Sequence, residues 1–221
     1  MKYSTKLLIF DCDGVLFDSR LANEKFYNHI LNLSSREPLT PDELEFVHIH
    51  SLPECLEYLF RDHPHLKGKA IQIAKETPYS LFFNHMIMEE GLEEFLEWAH
   101  GKYYIALCTN RTTSTIPLLD HFNLKPYFNY IGTALEFPKN DLRALLSILN
   151  HFRVKPYEAI YVGDSKIDER LCKGCEVPFI SYKNPKLEAL KVIYHYRELK
   201  SFILENTTYS SPPRQFSQKC V

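Results

Sequence analysis

The stretch Lys6-Leu7-Leu8-Ile9-Phe10-Asp11-Cys12-Asp13-Gly14-Val15-Leu16-Phe17-Asp18-Ser19 decides the fold. Residues 6–10 form a short apolar run that stops at acidic residues. A continuous run, rather than an alternating one, suits a strand of a parallel sheet covered on both faces. Four more runs read the same way: 103–108, which stops at Thr109-Asn110; 129–132; 159–162, which stops at Gly163-Asp164; and 177–181. Helical patterns lie between them. Leu92, Phe95, Leu96 and Ala99 recur at helical spacing after Gly91, and Leu142, Leu145, Leu146 and Leu149 do so after Asn140-Asp141. Alternating strands and helices predict an α/β fold, a Rossmann-like doubly wound parallel sheet.

Residues 18–90 break that alternation. They carry helix signals at 22–33, from Thr40 onward, at 53–60, 66–75 and 78–88, and no convincing strand. Thr40-Pro41-Asp42-Glu43 combines a cap residue, a proline at the first helical position and acids in the first turn. We expect an inserted all-helical cap over 18–90 on a core built from 1–17 and 91–204. A last helix is expected at 185–204. Residues 205–221, with Thr207-Thr208 and Ser210-Ser211-Pro212-Pro213, read as a disordered tail.

The 221 residues are 45% hydrophobic, enough for one core with a modest insertion. The net charge of -2 and the scattered Lys and Arg residues lack the basic footprint of a nucleic-acid partner. No apolar stretch reaches the roughly 20 residues of a membrane span. The four apolar residues before Asp11 are too few for a signal-peptide core. The expectation is a soluble, cytoplasmic protein with no membrane partner. Cysteines 12, 55, 108, 172, 175 and 220 show no framework and read as free thiols. Cys172 and Cys175 lack the second pair or nearby histidine of a zinc site, and read as small hydrophobes at a helix end.

The chemistry sits where predicted strands, or the loops that follow them, end, and open α/β sheets bind ligands outside the carboxyl ends of their strands. Four groups are placed there: Asp11 to Ser19; Thr109-Asn110-Arg111; Lys139; and Gly163-Asp164-Ser165-Lys166-Ile167-Asp168. Brought together, Asp11, Asp13, Asp164 and Asp168 cannot all ionise without a compensating cation. Oxygen donors without His or Cys select a hard ion, and Mg²⁺ fits best. Lys139 adds fixed positive charge, and Thr109 and Asn110 add hydrogen-bond donors. This combination suits phosphoryl transfer, which depends on positioning and charge stabilisation. Of Asp11 and Asp13, one carboxylate can attack phosphorus and form an aspartyl-phosphate. The other can protonate the leaving oxygen and later deprotonate water. Gly14 permits a sharp turn beside them.

Plainer readings stand beside these. Asp164 and Asp168 can start a helix, Thr109 can cap one, and Lys139 can be a solvated loop residue. Arg111 suits the surface as well as a substrate. His48, His50 and Arg61-Asp62-His63 read as packing or surface groups, although one of them can reach the substrate. Phe82, Phe83, Met86 and Met88 read as core. Alternation along an extended segment turns Cys12 away from the acids.

The stretch from Asp11 to Ser19 resembles the first motif of the haloacid dehalogenase superfamily. Thr109-Asn110-Arg111, Lys139 and the segment from Gly163 to Asp168 are similar to its second, third and fourth motifs, in the same order. The resemblance covers about residues 7 to 182, and the helical insertion lies where phosphoglycolate phosphatase-like and β-phosphoglucomutase-like members carry theirs. It implies Asp11 as nucleophile and metal ligand, and Asp13 as acid/base with its backbone carbonyl on the metal. It further implies Thr109, Asn110 and Lys139 on the phosphate and Asp164 on Mg²⁺. Asp168 would act through water or orient Lys139. Lys139 departs from the family in being followed by Asn140-Asp141 rather than a proline-bearing stretch. The implied function is a Mg²⁺-dependent phosphatase acting on a small phosphorylated metabolite. The rivals are a phosphomutase on a sugar phosphate and a binding or regulatory protein on a retired catalytic fold. A dehalogenase would have no use for an acid/base at Asp13.

Overall fold

A computed structural model describes residues 4–206. The first apolar run is strand β1 (Leu7–Phe10), fully buried along its length. Leu7 and Ile9 enter one apolar layer, Leu8 and Phe10 another. That is the two-residue period of a pleated strand covered on both faces.

The chain continues through β2 (Phe17–Asp18), α1 (Arg20–Leu33), α2 (Pro41–Ile49), α3 (Leu52–Leu59), α4 (Pro64–Glu76) and β3 (Ile87–Met88). Then follow α5 (Leu92–Ala99), β4 (Tyr104–Cys108), α6 (Thr115–His121), β5 (Tyr130–Gly132) and α7 (Arg143–Phe152). The last elements are β6 (Ala159–Gly163), α8 (Lys166–Gly174), β7 (Phe179–Tyr182), β8 (Lys191–Ile193) and α9 (Tyr196–Asn206). Six strands form one sheet in the order β5-β4-β1-β6-β7-β8, with every pairing parallel. Helices α5, α6 and α9 cover one face, and α7 and α8 the other. The chain builds outward from β1 to β4 and β5, then crosses back to β6, β7 and β8. The order therefore reverses at β1, and a crevice opens beyond its carboxyl end.

Helices α1 to α4 enclose a third apolar cluster of their own, with Phe26, Ile30, Val47, Leu59 and Phe60 at its centre. Thr40 caps α2 through a reciprocal box with Glu43, and Pro41 follows at the first turn, as the sequence predicts. The segment entering this helical layer pairs antiparallel with the segment leaving it, Phe17 opposite Met88 and Asp18 opposite Ile87. Two-residue strands carry no periodicity, so this ribbon is invisible in the sequence.

Two expectations need correcting. The helix expected at 185–204 is instead β8 followed by α9. The outer edge of β7 needs partners for its backbone groups, and Lys191-Val192-Ile193 supplies them. Helix α9 reaches Asn206, two residues into the segment read as a tail, and the rest of that segment lies outside the described residues. The helix expected at 78–88 is a 3₁₀ turn over Tyr79–His85 that gives way to β3. Cys172 and Cys175 are free and buried against α7 and the sheet, as small hydrophobes. Among the described residues no helix is long and apolar enough to cross a membrane.

Candidate active site

Asp11 extends β1 by one rung, its N–H donating to the Val162 carbonyl at 3.0 Å. The chain then reverses at Gly14, whose φ of +74° is strained for any residue with a Cβ. A Cβ there would stand 2.0 Å from Asp164 Oδ2, so the turn and the Asp164 carboxylate pack directly together. Both neighbours of β1 contribute to the site. β4 ends at Thr109-Asn110-Arg111 and β6 at Gly163-Asp164.

Lys139 comes from the loop before α7 and is buried. Its Nζ lies 2.6 Å from Asp11 Oδ1 and 2.7 Å from Asp168 Oδ1. Its backbone N–H donates to Asn110 Oδ1 at 2.9 Å, which ties the third motif to the second despite the missing proline-bearing stretch. Asp168 is fully buried. It also accepts from the Tyr161 hydroxyl at 2.8 Å and from the Ser165 hydroxyl at 2.6 Å. Ser165 and Asp168 form the capping box of α8. The helix-start reading and the lysine-orienting reading of Asp168 therefore both hold, one oxygen serving each.

Carboxylate oxygens of Asp11, Asp164 and Asp168 all lie within 4.8 Å of one another. Asn184 bonds the backbone carbonyl of Asp164 at 2.7 Å, but among the described residues no side chain donates to its carboxylate. Burial, reinforced by the charges of Asp11 and Asp168, pushes the Asp164 carboxyl well above the usual carboxylate range. Burial likewise raises Asp11 to about 7, against the pull of Lys139 and with the push of Asp168. One lysine does not balance this cluster. An all-oxygen donor set with charge to spare fits a hard divalent cation such as Mg²⁺. The Cys12 side chain is buried in the apolar layer on the far side, as alternation predicts.

Arg111, read from sequence as suiting the surface as well as a substrate, instead pairs with Asp13. It is buried, and its Nε and Nη2 donate to the two oxygens of Asp13 at 2.8 and 2.7 Å. Its guanidinium lies 4.5 Å over the Tyr79 ring and donates to the Tyr79 hydroxyl at 3.2 Å. That hydroxyl bonds Asn23, whose amide meets His48 Nδ1 at 3.3 Å. Burial raises the Asp13 carboxyl, but Arg111 and Ser19 outweigh it and hold it below its ordinary value. Tyr79 and Asn23 escaped the sequence reading. One signal was present: Asn23 falls on the face of α1 that also carries the buried Phe26, Tyr27 and Ile30, and a polar residue in an apolar stripe needs a partner.

These groups floor a cavity of about 710 Å³ between the sheet and the helical layer. Asp11, Asp13, Thr109, Asn110, Lys139 and Asp164 all line it, whereas Asp168 sits behind Lys139 and does not. Thr109 is buried, and its Oγ1 accepts from the Arg111 N–H at 3.1 Å. Asn110 Nδ2 reaches the Ile49 carbonyl of α2 at 3.5 Å. His48 and His50 also line the cavity.

The family model for haloacid dehalogenase-like hydrolases matches residues 8–182. The chain belongs to that family. This haloacid dehalogenase-like hydrolase is similar to a phosphoglycolate phosphatase from Agrobacterium fabrum, 28% identical over 187 residues that cover 79% of this chain and 78% of that protein. Among solved structures it resembles a superfamily hydrolase of subfamily IA, variant 1, from Geobacter sulfurreducens. That likeness has 35% identity and a TM-score of 0.75, over 91% of this chain and 97% of the other. A haloacid dehalogenase-like hydrolase from Streptococcus pneumoniae shares the fold, with a TM-score of 0.79 at 14% identity over 90% of this chain and 98% of the other. The hydrolase is thus an enzyme of the α/β Rossmann-like class, with distant sequence similarity to phosphoglycolate phosphatases.

Proposed function

We propose that this hydrolase is a cytoplasmic, Mg²⁺-dependent phosphatase that cleaves a small phosphate monoester through an aspartyl-phosphate on Asp11. The observation that carries the reading is Lys139, held between Asp11 and Asp168 at 2.6 and 2.7 Å beside the Asp164 carboxylate, to which no side chain among the described residues donates. Similarity to phosphoglycolate phosphatases supports the reaction class.

Asp11 Oδ1 is engaged by the Cys12 N–H and by Lys139, both at 2.6 Å. Oδ2 is left to attack phosphorus. As the Oδ2–P bond forms, the bond to the ester oxygen breaks, and Asp13 gives that oxygen a proton. Asp13 then takes a proton from water. The water oxygen attacks phosphorus, the Oδ2–P bond breaks, and inorganic phosphate leaves with Asp11 restored. Lys139, Thr109 and Asn110 hold the phosphoryl oxygens throughout. Mg²⁺, held by Asp11, Asp164 and the Asp13 backbone carbonyl, would neutralise phosphate charge. Asp168 orients Lys139.

The helical layer, residues 18–90, acts as a cap over the core. Tyr79 from that layer contacts Arg111, which in turn grips Asp13, so cap position and the acid/base are mechanically linked. Closure would exclude water from the phosphoryl centre.

The test is phosphate release from a panel of phosphorylated metabolites, with and without Mg²⁺, by wild type and Asp11→Asn. Metal-dependent release that disappears in the variant is expected. Release that persists in Asp11→Asn, or that ignores chelator, overturns the mechanism.

A further inference from the structure

Above its polar floor the cavity changes character. Phe26 and Tyr27 from α1, Val47 from α2, Leu56 from α3, and Ile71 and Ala74 from α4 line it together. We infer that the substrate is the phosphate monoester of an extended apolar alcohol, alkyl or aromatic, whose body occupies this chamber while its phosphate rests on Asp11. The inference deepens the phosphatase reading and rests on it.

Size is the first argument. A volume of about 710 Å³ is that of a pocket for a sizeable organic ligand, within the roughly 300–1,000 Å³ of such sites. A phosphate carrying a two-carbon acid would leave most of it filled with water against apolar walls.

Charge is the second. A short acid needs a cation for its carboxylate, and in this structure the buried cations that line the chamber are already paired, leaving only the exposed Lys75 without a partner among the described residues. Arg111 is held by both oxygens of Asp13, and Lys139 by Asp11 and Asp168. Lys67 pairs with Glu57, and Lys75 is exposed at the rim. His48 is pressed toward its neutral form by burial, and its Nδ1 meets Asn23. His50 stacks on Phe46 at 3.9 Å and engages the Phe46 carbonyl through Nδ1 at 2.9 Å. With Arg111 paired to Asp13 as it is here, the chamber offers apolar surface to a hydrocarbon body and little buried positive charge to a second anion.

The experiment compares kcat/KM for ethyl phosphate, n-butyl phosphate, n-octyl phosphate, 1-naphthyl phosphate and phosphoglycolate in the presence of Mg²⁺. Each methylene that leaves water is a factor of about four in binding when fully buried. We expect kcat/KM to rise at least about 50-fold from ethyl to octyl phosphate, and phosphoglycolate to resemble ethyl phosphate. In Ala74→Phe, which fills part of the chamber, the octyl-to-ethyl ratio should fall about tenfold. A flat series, or a preference for phosphoglycolate over octyl phosphate, overturns the apolar-body inference and leaves the phosphatase reading standing. No release from any ester, octyl included, overturns both. The wild-type series decides the matter whether or not Ala74→Phe folds.

Discussion

Asp13 and Arg111 lie 98 positions apart and meet in a two-pronged ion pair, with separate nitrogens 2.8 and 2.7 Å from separate carboxylate oxygens. Their side chains are 19% and 7% exposed, so solvent screens the pair only weakly. Attraction therefore outweighs the burial of Asp13 and keeps it ionised at neutral pH. A general acid must carry a proton, so Asp13 has to part from Arg111 before it can act.

Breaking this pair from one side leaves an uncompensated charge in an enclosed place. Arg111→Met should cost about 3–5 kcal/mol of stability. Adding Asp13→Asn should recover part of that loss, giving a coupling of about 1 kcal/mol or more in a urea-unfolding double-mutant cycle. Losses that simply add would show that the two side chains do not support each other.

The acidic cluster makes a prediction about pH. Asp11, raised to about 7, and Asp164, also raised by burial, hold protons in the folded protein that the unfolded chain has already lost. Stability of the metal-free protein should therefore fall as pH rises from the ordinary carboxylate range through about 7. Mg²⁺ replaces those protons and should flatten or reverse the slope. The depressed Asp13 acts oppositely, and its contribution is lost only as pH falls through its own low value, below this window. Thermal unfolding midpoints at pH 5.5 and 7.5, with chelator and with Mg²⁺, check the sign. A metal-free midpoint higher at pH 7.5 would contradict it.

Gly14→Ala attacks the same cluster from the backbone. The new Cβ would meet Asp164 Oδ2 at 2.0 Å, on a residue already at a φ of +74°. Displacing that carboxylate should weaken Mg²⁺ binding at least about tenfold and destabilise the fold by about 1–2 kcal/mol. Calorimetric titration with Mg²⁺ reads the first effect, and unchanged affinity would remove Asp164 from the ligand set.

Asp168→Asn and Tyr161→Phe separate two parts of the lysine's support. Asp168→Asn removes the countercharge 2.7 Å from Lys139 Nζ and should lower kcat about 100-fold. Tyr161→Phe removes only the hydroxyl that steadies Asp168 and bonds the Cys108 carbonyl. It should cost about 1–2 kcal/mol of stability and less than about tenfold in kcat. Equal kinetic losses in the two variants would mean that Lys139 is not oriented through Asp168.

What the sequence determined by itself is local in origin. The run at Leu7 to Phe10 declared a strand buried on both faces, because burial on two sides removes alternation. Thr40, Pro41 and Glu43 announced α2, because a cap acts within four residues. Asp11, Thr109 and Asp164 could be placed beyond strand ends from the apolar runs before them, whereas Lys139, in the loop between β5 and α7, carries no such local signal. Tertiary structure alone decided who faces whom. Asp11 meets Thr109 to Arg111 and Asp164 because β4 and β6 are the two neighbours of β1, and strand order depends on packing the whole sheet. The grip of Arg111 on Asp13, the Tyr79–Asn23–His48 chain and the pairing of β8 with β7 follow from that arrangement. Their partners are not set by periodicity or capping, whose reach along the chain is a few residues. They are set by which surfaces the folded sheet and helices bring within hydrogen-bond distance.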